Sequence, residues 1–580
     1  MASHTGMRSV QQRRTGAPVA WSPRSDRLRR LLRNRVTGLS VIAALPVVVA
    51  ALRQTWIGWI PEGDDAIVVT RIHDVFSGNP PLLGMRSTSN FFDVTMSNHH
   101  PGPLEFYLDA PISAALGYSG AGIVIAVAVV NIACVVGTVV LAHRMRGLRT
   151  AIPVVGALLL SQWALGPDVL ARPLNPCAGT LPLLLMLVAT WSVLDRDPQG
   201  LWVTLLAGSY AAQTELAFCP LVVAACGTAL IVVACRTWAR RSRFGGIAGM
   251  TAPRRRTVLT AVLIVLAWLP SIIELFVLHP NNLQLVFRYA SGPRHGGGTA
   301  SAGVSEGFAY VVGNLSPTQF GRFDTTITTL PTGTAVAIGM CVLVLLVVAL
   351  AAGPRLPHTA ASRGCWIVLI AVVAESFALS AKPDSGPGTF WVLPVLVIPP
   401  LAYAVLVLRF VEVVRTLNLE RLDARRFPHR LVPRATAVLA ALVVVLATAG
   451  AKPPSADNSD RAKAVSDVVL TYLHAHSRPG TTVRVDSYGL QSWISLAPAL
   501  GVQLFRHDHP AHYLPSWPYP EETSSWYSTT APAGSVVVTL ADEGSTDQAH
   551  PKPGAVAIPL PADSAPGLRL WIDIPPGDRL

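Results

Sequence analysis

Charged residues are scarce in this chain of 580 residues: they make up 14% of it, against about 25% in an ordinary soluble domain. Hydrophobic residues make up 51%, the mean hydropathy is +0.44, and many apolar runs reach about 16 to 22 residues. Runs of this length are close to what a helix needs to cross a bilayer. The scarcity of charge therefore excludes an ordinary soluble protein and predicts a polytopic α-helical membrane protein with about 11 transmembrane helices.

Cysteine is absent from the long polar segments, and all seven cysteines lie in or beside apolar runs. This placement argues against a disulfide framework and against a cysteine-based zinc site. The cysteines are best interpreted as small buried apolar residues.

Acidic residues are nearly absent from residues 1–36, which hold nine Arg and one Asp and no apolar stretch. Neither a twin-arginine signal nor a cleavage site is evident, so we expect a basic cytoplasmic tail before an uncleaved anchor. The formal net charge of +13 does not predict nucleic-acid binding, because the Arg clusters adjoin the apolar runs. Such clusters orient spans and attract anionic membrane lipids.

Eleven spans are predicted, and loop charge orients them. If residues 201–235 were a single tilted span, the loop 236–256, with seven Arg and no acid, would lie outside, against the positive-inside rule. We therefore predict a cytoplasmic N-terminus and an extracytoplasmic C-terminal region. The spans are predicted at about 37–60, 119–142, 151–166, 178–194, 201–214, 216–235, 257–278, 333–353, 365–380, 391–410 and 436–451.

The predicted domains are the tail 1–36, a transmembrane domain 37–451 and an extracytoplasmic domain 452–580. The transmembrane domain has two large extracytoplasmic loops, 61–118 and 279–332. In the last domain, a linker and an amphipathic helix (461–477) precede strand-like segments such as "SVVVTLAD" and "LRLWIDI". A small α/β domain is therefore expected there.

Two adjacent carboxylates, Asp64 and Asp65, follow the first predicted span, just after Trp56 and Trp59. Tryptophan is enriched at membrane interfaces, so Asp64 is expected just above the lipid headgroups. The segment "DAIVVTRIHDV" has helical spacing and could form a helix on the membrane surface, with both acids in its first turn. An acid in an outer loop often serves only to keep the loop hydrated. An ionised carboxylate at this position is also suited to accept a proton from a hydroxyl.

A membrane lipid that carries a reactive head at this depth would explain such a position. In a polyprenyl-phosphate sugar the phosphate is already a good leaving group, so the enzyme needs a base for the acceptor and cations for the departing charge. The cationic candidates are Arg71, Arg86, His99, His100, Arg288 and Arg294. The loop that holds the last two, 279–298, could equally be a solvated connector.

The stretch "GDDAIVVTRIHDVFSGNPPLLG…NHHPGPLEFYLDAP" resembles the first outer loop of GT-C glycosyltransferases. These include protein O-mannosyltransferases, bacterial lipid A aminoarabinose transferases and actinobacterial arabinofuranosyl- and mannosyltransferases. Asp64 and Asp65 match the acidic pair of the family, "PPLLG" (80–84) its middle segment and "HHPGPLEFY" (99–107) its last. His99 and His100 stand where several relatives have Lys.

The resemblance implies a GT-C-like fold and an inverting transfer of one sugar from a polyprenyl phosphate to an extracytoplasmic acceptor hydroxyl of a cell-envelope glycan, glycolipid or protein. Asp64 would be the catalytic base, with Asp65 second. Cofactors are not specified: Arg and His side chains would neutralise the phosphate, although some relatives use a divalent metal ion. No metal ligand is assigned.

Three further acids lie at positions that could line the site: Asp74, Glu215 and Glu274. Asp168 and Asn175 are polar residues at similar positions. An ionisable group near membrane depth suggests a function. The cluster "RHDHPAH" (506–512) has metal-ligand residue types but no second cluster at zinc-finger spacing. The competing interpretation of the chain is a non-enzymatic transporter or scaffold for lipid-linked polysaccharide, but few charges lie at mid-span depth and no paired halves are evident.

Overall fold

In a computed structural model, the chain is described over residues 23–87, 98–244, 254–291, 303–320, 331–351, 359–381, 392–416, 455–513 and 531–580, apart from 562 and 564. Four isolated positions, 442, 444, 445 and 448, are also described. The predicted span at 436–451 and the candidate Arg294 therefore lie largely or wholly outside the described residues.

Fourteen helices precede the C-terminal domain in the described part of the chain. They are α1 (Pro23–Trp56), α2 (Gly63–Asp74), α3 (Leu104–Ala115), α4 (Gly120–Arg146), α5 (Leu148–Ala171), α6 (Asn175–Leu194), α7 (Pro198–Thr214), α8 (Cys219–Phe244), α9 (Arg254–Val277), α10 (Asn282–Ser291), α11 (Gly303–Asn314), α12 (Gly333–Ala351), α13 (Ala360–Ser380) and α14 (Leu393–Thr416).

Nine of these described helices are long and apolar enough to cross a membrane: α1, α4, α5, α6, α8, α9, α12, α13 and α14. The segment 201–235 is divided between α7 and α8, with a short 3₁₀ turn at Leu216–Phe218 between them. Eleven spans were predicted, but α7, at 17 residues, is not among the nine, and the span at 436–451 lies largely outside the described residues. Helix α5 is longer than its predicted span 151–166, because it continues through a break at Gly166 (φ +76°). The predicted class of polytopic helical membrane protein is confirmed.

Helix α6 lies at the centre of the bundle, and all of its 20 residues are buried. It packs against α4, α7 and α8, and its Trp191 Nε1 donates to the carbonyl of Ala360 at 2.8 Å. Glycines allow these close approaches. At Gly200 an added Cβ would stand 2.1 Å from Ser192 Oγ, so the α6–α7 turn has no room for a side chain.

The two ends of the bundle differ in charge. At one end, where α4 and α6 finish and α13 begins, arginines hold aspartates: Arg144 contacts Asp197 at 2.7 Å, and both Arg146 and Arg363 contact Asp195. The positive-inside rule predicts that this basic end is cytoplasmic. The loop that contains α2 and α3 lies at the opposite end, where α1, α5 and α7 finish.

The C-terminal domain is built from helices α15 (Ser455–His476) and α16 (Ala497–Arg506) and a five-stranded sheet in the order β2-β1-β3-β5-β4. Strand β1 pairs in parallel with β2 and β3, and β5 is antiparallel to β3 and β4. The predicted α/β fold of this region is confirmed. The strands are β1 (Val483–Tyr488), β2 (Ala511–Tyr513), β3 (Val536–Asp542), β4 (Val556–Ile558) and β5 (Leu568–Asp573).

Helix α2 differs from its expected setting on the membrane surface. It packs between α3 and α16, and Val68, Val69 and Ile72 share a buried cluster with Val502 of the C-terminal domain. The helical spacing was predicted correctly. The burial could not be foreseen, because the covering surface comes from more than 400 positions later in the chain.

Candidate active site

The first turn of α2 presents two adjacent carboxylates in opposite environments. Asp64 is exposed, whereas Asp65 is completely buried. Both lie at the amino end of the helix, where the helix dipole favours negative charge. The preceding residue, Glu62, is buried and accepts a hydrogen bond from Ser495 Oγ of the C-terminal domain. The turn is therefore fixed from the domain side, and only Asp64 faces solvent.

Arg172 holds Asp65 from the membrane domain. Its Nε donates to Oδ2 of Asp65 at 2.7 Å, and its side chain is 20% exposed. The terminal amino groups of Arg172 make no hydrogen bond to any residue that the structure describes. Burial raises the pKa of Asp65 to about 7, and the positive charge of Arg172 opposes that rise. Arg172 is the C-cap of α5, directly before "PLN", and was not predicted as a site residue.

Two further carboxylates lie one turn apart on α3, Glu105 and Asp109, and both are buried. Burial raises the pKa of Asp109 to about 8. Burial also raises the pKa of Glu105 well above its ordinary value, with Asp109, Asp65 and Glu215 adding to the rise. These two acids were not singled out in the sequence, and only their spacing of four residues places them on one helix face.

His100 connects the first loop to the end of α7. Its Nδ1 accepts a hydrogen bond from the backbone N–H of Leu216 at 2.9 Å, and its Nε2 lies 3.6 Å from Oε2 of Glu215. Burial lowers the pKa of His100 to about 3 and raises that of Glu215 to about 7. A neutral, accepting imidazole is poorly suited to the phosphate-binding role that the sequence predicts for His100. Glu215 also accepts from Asn175 Nδ2 at 3.0 Å, so Asn175 does belong to this cluster.

His99 is held through its backbone by Asn282. The amide of Asn282 accepts from His99 N–H at 2.8 Å and donates to His99 O at 3.0 Å. The N–H of Asn282 donates to Glu274 Oε1 at 2.7 Å. Glu274 therefore contributes to the position of His99, and residue 86 pairs with His99 in a β-bridge, which brings Arg86 to the same place.

The remaining predicted residues are more dispersed. Arg71 Nη1 lies 3.4 Å from Asp74 Oδ2, and Asp74 is buried one helical turn beyond Arg71 on α2. Arg288 is exposed on α10. In the tail, His509 is buried against the carbonyl of Thr481 at 3.1 Å. Among the described residues, no group of three or more His, Cys, Asp or Glu side chains is arranged to hold a metal ion.

Among known proteins, the chain is similar to solved structures in fold but not in sequence. No protein-family model matches the chain. No curated protein matches it either. Among solved structures, it is similar to ArnT from Cupriavidus metallidurans bound to undecaprenyl phosphate, at 12% identity and a TM-score of 0.52 over 92% of this chain and 97% of that one. The apo structure of the same ArnT gives 11% identity and a TM-score of 0.50 over 95% and 98%.

The apo oligosaccharyltransferase of Archaeoglobus fulgidus is a more distant neighbour, at 13% identity and a TM-score of 0.40 over 82% of this chain and 64% of that one. A TM-score of 0.40 does not establish a shared fold. The similarity to ArnT extends over nearly the whole of both chains, and at 12% identity it establishes the fold. The resemblance seen in the first outer loop is thus confirmed for the architecture.

Proposed function

We propose that this protein is an integral-membrane glycosyltransferase. It moves a sugar from a polyprenyl-phosphate donor to an extracytoplasmic acceptor hydroxyl, with inversion and with Asp64 as the general base. The observation that carries the proposal is the exposed carboxylate of Asp64 beside the buried Asp65–Arg172 ion pair, in a fold shared with ArnT over nearly its whole length. The ArnT structure was obtained with undecaprenyl phosphate bound.

In this reaction the acceptor oxygen forms the new bond to the anomeric carbon as the bond from that carbon to the phosphate oxygen breaks. The bonding electrons leave with the polyprenyl phosphate, and the acceptor proton passes to Asp64. A general base of this kind contributes about 10²- to 10⁴-fold to the rate. Asp65 is less suited than Asp64 to act as the base, because its carboxylate is buried and one of its oxygens accepts from Arg172.

Cations would stabilise the departing phosphate. Arg172 is the best-placed of them, because it lies beside the acidic pair and its terminal amino groups have no partner among the described residues. Arg86 and His99 stand together at the neighbouring bridge and are the second choice. Arg71, Arg288 and Arg294 remain proposed phosphate ligands. His100 is better suited to hold the end of α7 through Leu216.

The test is sugar transfer in membranes from a labelled polyprenyl-phosphate sugar, with wild type compared with Asp64→Asn. Asp460→Asn, a change at an exposed acid in α15, serves as the matched control. We expect Asp64→Asn to lower transfer at least about 100-fold while leaving the melting temperature unchanged. Equal transfer by Asp64→Asn and wild type would exclude Asp64 as the base. Absence of transfer by wild type with every polyprenyl-phosphate sugar supplied would contradict the proposed donor.

A further inference from the structure

A cavity lies at the basic end of the bundle, at the opposite end of α5 from Arg172. Its volume is about 830 Å³, within the range of small-molecule sites. It opens between the α4–α5 turn, the start of α13 and the last turns of α14. Nothing in the proposed transfer reaction uses this cavity.

Arginines contribute positive charge to the wall of the cavity. Arg146, Arg149 and Arg415 all contribute to its wall and are exposed. Arg146 shares Asp195 with a neighbouring arginine at 3.5 Å. The single acid in the wall, Glu412, is engaged by the buried Arg409 at 3.2 Å. The wall therefore carries more positive charge than negative.

Helix α5 begins in the wall of this cavity, and no side chain of the described residues caps its first turn. Its N-cap is Gly147, which has no side chain to accept from the first N–H groups. Thr150 lines the cavity and is 1% exposed as a residue, and its hydroxyl makes no hydrogen bond to any residue that the structure describes. A buried hydroxyl without a partner is costly, so Thr150 points to a polar group that occupies this space. A helix N-terminus with adjacent arginines is suited to an anionic group.

Apolar side chains also line the cavity. Ile152, Pro153, Leu408 and Val411 line it, along the lengths of α5 and α14. Free phosphate has no apolar group that could pack against these side chains. A ligand with a charged head and a hydrocarbon body matches both the basic and the apolar residues of the lining.

We propose that this cavity binds an anionic glycerophospholipid of the adjacent leaflet. Its phosphate lies against Arg149, the first turn of α5 and the hydroxyl of Thr150, and an acyl chain follows the apolar wall. The following segment of the chain, 417–434, is a poor alternative occupant, because it carries five Arg and two acids and would repel the basic wall. The inference does not depend on the glycosyl-transfer proposal.

The test is lipid retention by the full-length protein, measured by native mass spectrometry after titration with phosphatidylglycerol or phosphatidylcholine of matched acyl chains. We expect one phosphatidylglycerol to be retained, with a preference over phosphatidylcholine of about tenfold or more. Arg149→Gln combined with Thr150→Val should reduce that preference to about twofold or less. Arg196→Gln, an exposed arginine at the same end that does not line the cavity, is the control and should keep it.

Thr150→Val alone keeps the shape of the side chain, so it also tests the proposal if the double variant does not fold. It should weaken phosphatidylglycerol retention and leave phosphatidylcholine retention unchanged. Equal retention of the two lipids by wild type, or an unchanged preference in both variants, would overturn the proposal. Displacement by millimolar inorganic phosphate, or stronger retention of polyprenyl phosphate than of phosphatidylglycerol, would overturn the assignment to a glycerophospholipid.

Discussion

Arg172 and Asp65 are 107 residues apart in the chain, and Nε of the first donates to Oδ2 of the second at 2.7 Å. The contact joins the end of α5 to the first turn of α2. It holds one carboxylate of the acidic pair inside the protein while Asp64, its neighbour in sequence, remains exposed. Two adjacent residues of the same type thereby acquire different environments, one buried in an ion pair and one exposed.

A double-mutant cycle on this ion pair should show strong coupling. Arg172→Gln and Asp65→Asn should each lower the melting temperature, because removal of one partner leaves the other charged and buried. The double variant should recover part of the loss, with a coupling energy of about 1–3 kcal/mol. Thermal unfolding of the four proteins measures this coupling. Additive losses would mean that the two side chains do not act as a pair.

The buried carboxyl of Asp109 should make stability depend on pH. Its pKa is raised from 3.8 to about 8, so between these values the folded protein holds a proton that the unfolded chain has lost. Stability from this group is therefore present at low pH and is lost as the pH rises through about 8. Asp109→Asn should remove this loss, so its melting temperature should exceed that of wild type by about 5 °C at pH 9.

The control for Asp109→Asn is Asp467→Asn, a change at an exposed acid of α15. It should follow the wild-type pH profile. A profile for Asp109→Asn that is parallel to that of wild type between pH 5 and about 9 would contradict the buried, protonated state.

The contact between α16 and α2 should be required for full sugar-transfer activity. The ring of Phe505 lies 4.5 Å from that of His73, centroid to centroid, and the same end of α16 covers α2. Phe505→Ala should loosen the helix that carries Asp64 and lower transfer about tenfold, since small displacements of a catalytic group are costly. Leu490→Ala, at a leucine that is 69% exposed, should leave transfer unchanged. Equal effects of the two substitutions would show that α16 does not position α2.

Substitution of Asn282 should lower transfer more than substitution of Glu274. Asn282 binds the backbone of His99 directly, whereas Glu274 binds only the N–H of Asn282. Glu274→Gln keeps an oxygen that can accept from the N–H of Asn282, so transfer should fall by less than about threefold. Asn282→Ala removes both bonds to the backbone of His99 and should lower transfer by about tenfold or more. Transfer assays on the two variants decide the matter. A larger loss in Glu274→Gln than in Asn282→Ala would indicate a direct role for Glu274 in the chemistry.

The sequence predicted those features of the fold that depend on local pattern. Apolar runs located the nine described helices that are long and apolar enough to cross a membrane, the division of 201–235 into α7 and α8 was predicted, and alternation located β3 and β5. The acidic pair was recognised because Asp64 and Asp65 adjoin a span with terminal tryptophans. The partner of Asp65 could not be predicted, because an arginine near the end of α5 has many carboxylates within reach in principle, and only the packed bundle selects one.

The setting of α2 was predicted only in part for the same reason. Its spacing predicts an amphipathic helix, but apolar side chains that avoid water can face lipid or protein equally well. The sequence of α2 contains nothing that anticipates Val502 and the rest of α16 on its outer side. His100 was proposed as a phosphate ligand from its residue type, which does not reveal that its Nδ1 accepts from the N–H of Leu216 or that burial lowers its pKa to about 3.

Helix α6 has the composition of a lipid-facing span and yet is enclosed by other helices along its full length. Selection on α6 must therefore act on shape, as in the interior of a water-soluble enzyme. Exchanges between leucine and valine that a bilayer would tolerate should be harmful there. Conversely, exposed helices such as α9 and α12 should accept nearly any apolar side chain of similar hydropathy. Tolerance to substitution should therefore distinguish helices enclosed by protein from exposed ones, which hydropathy alone does not.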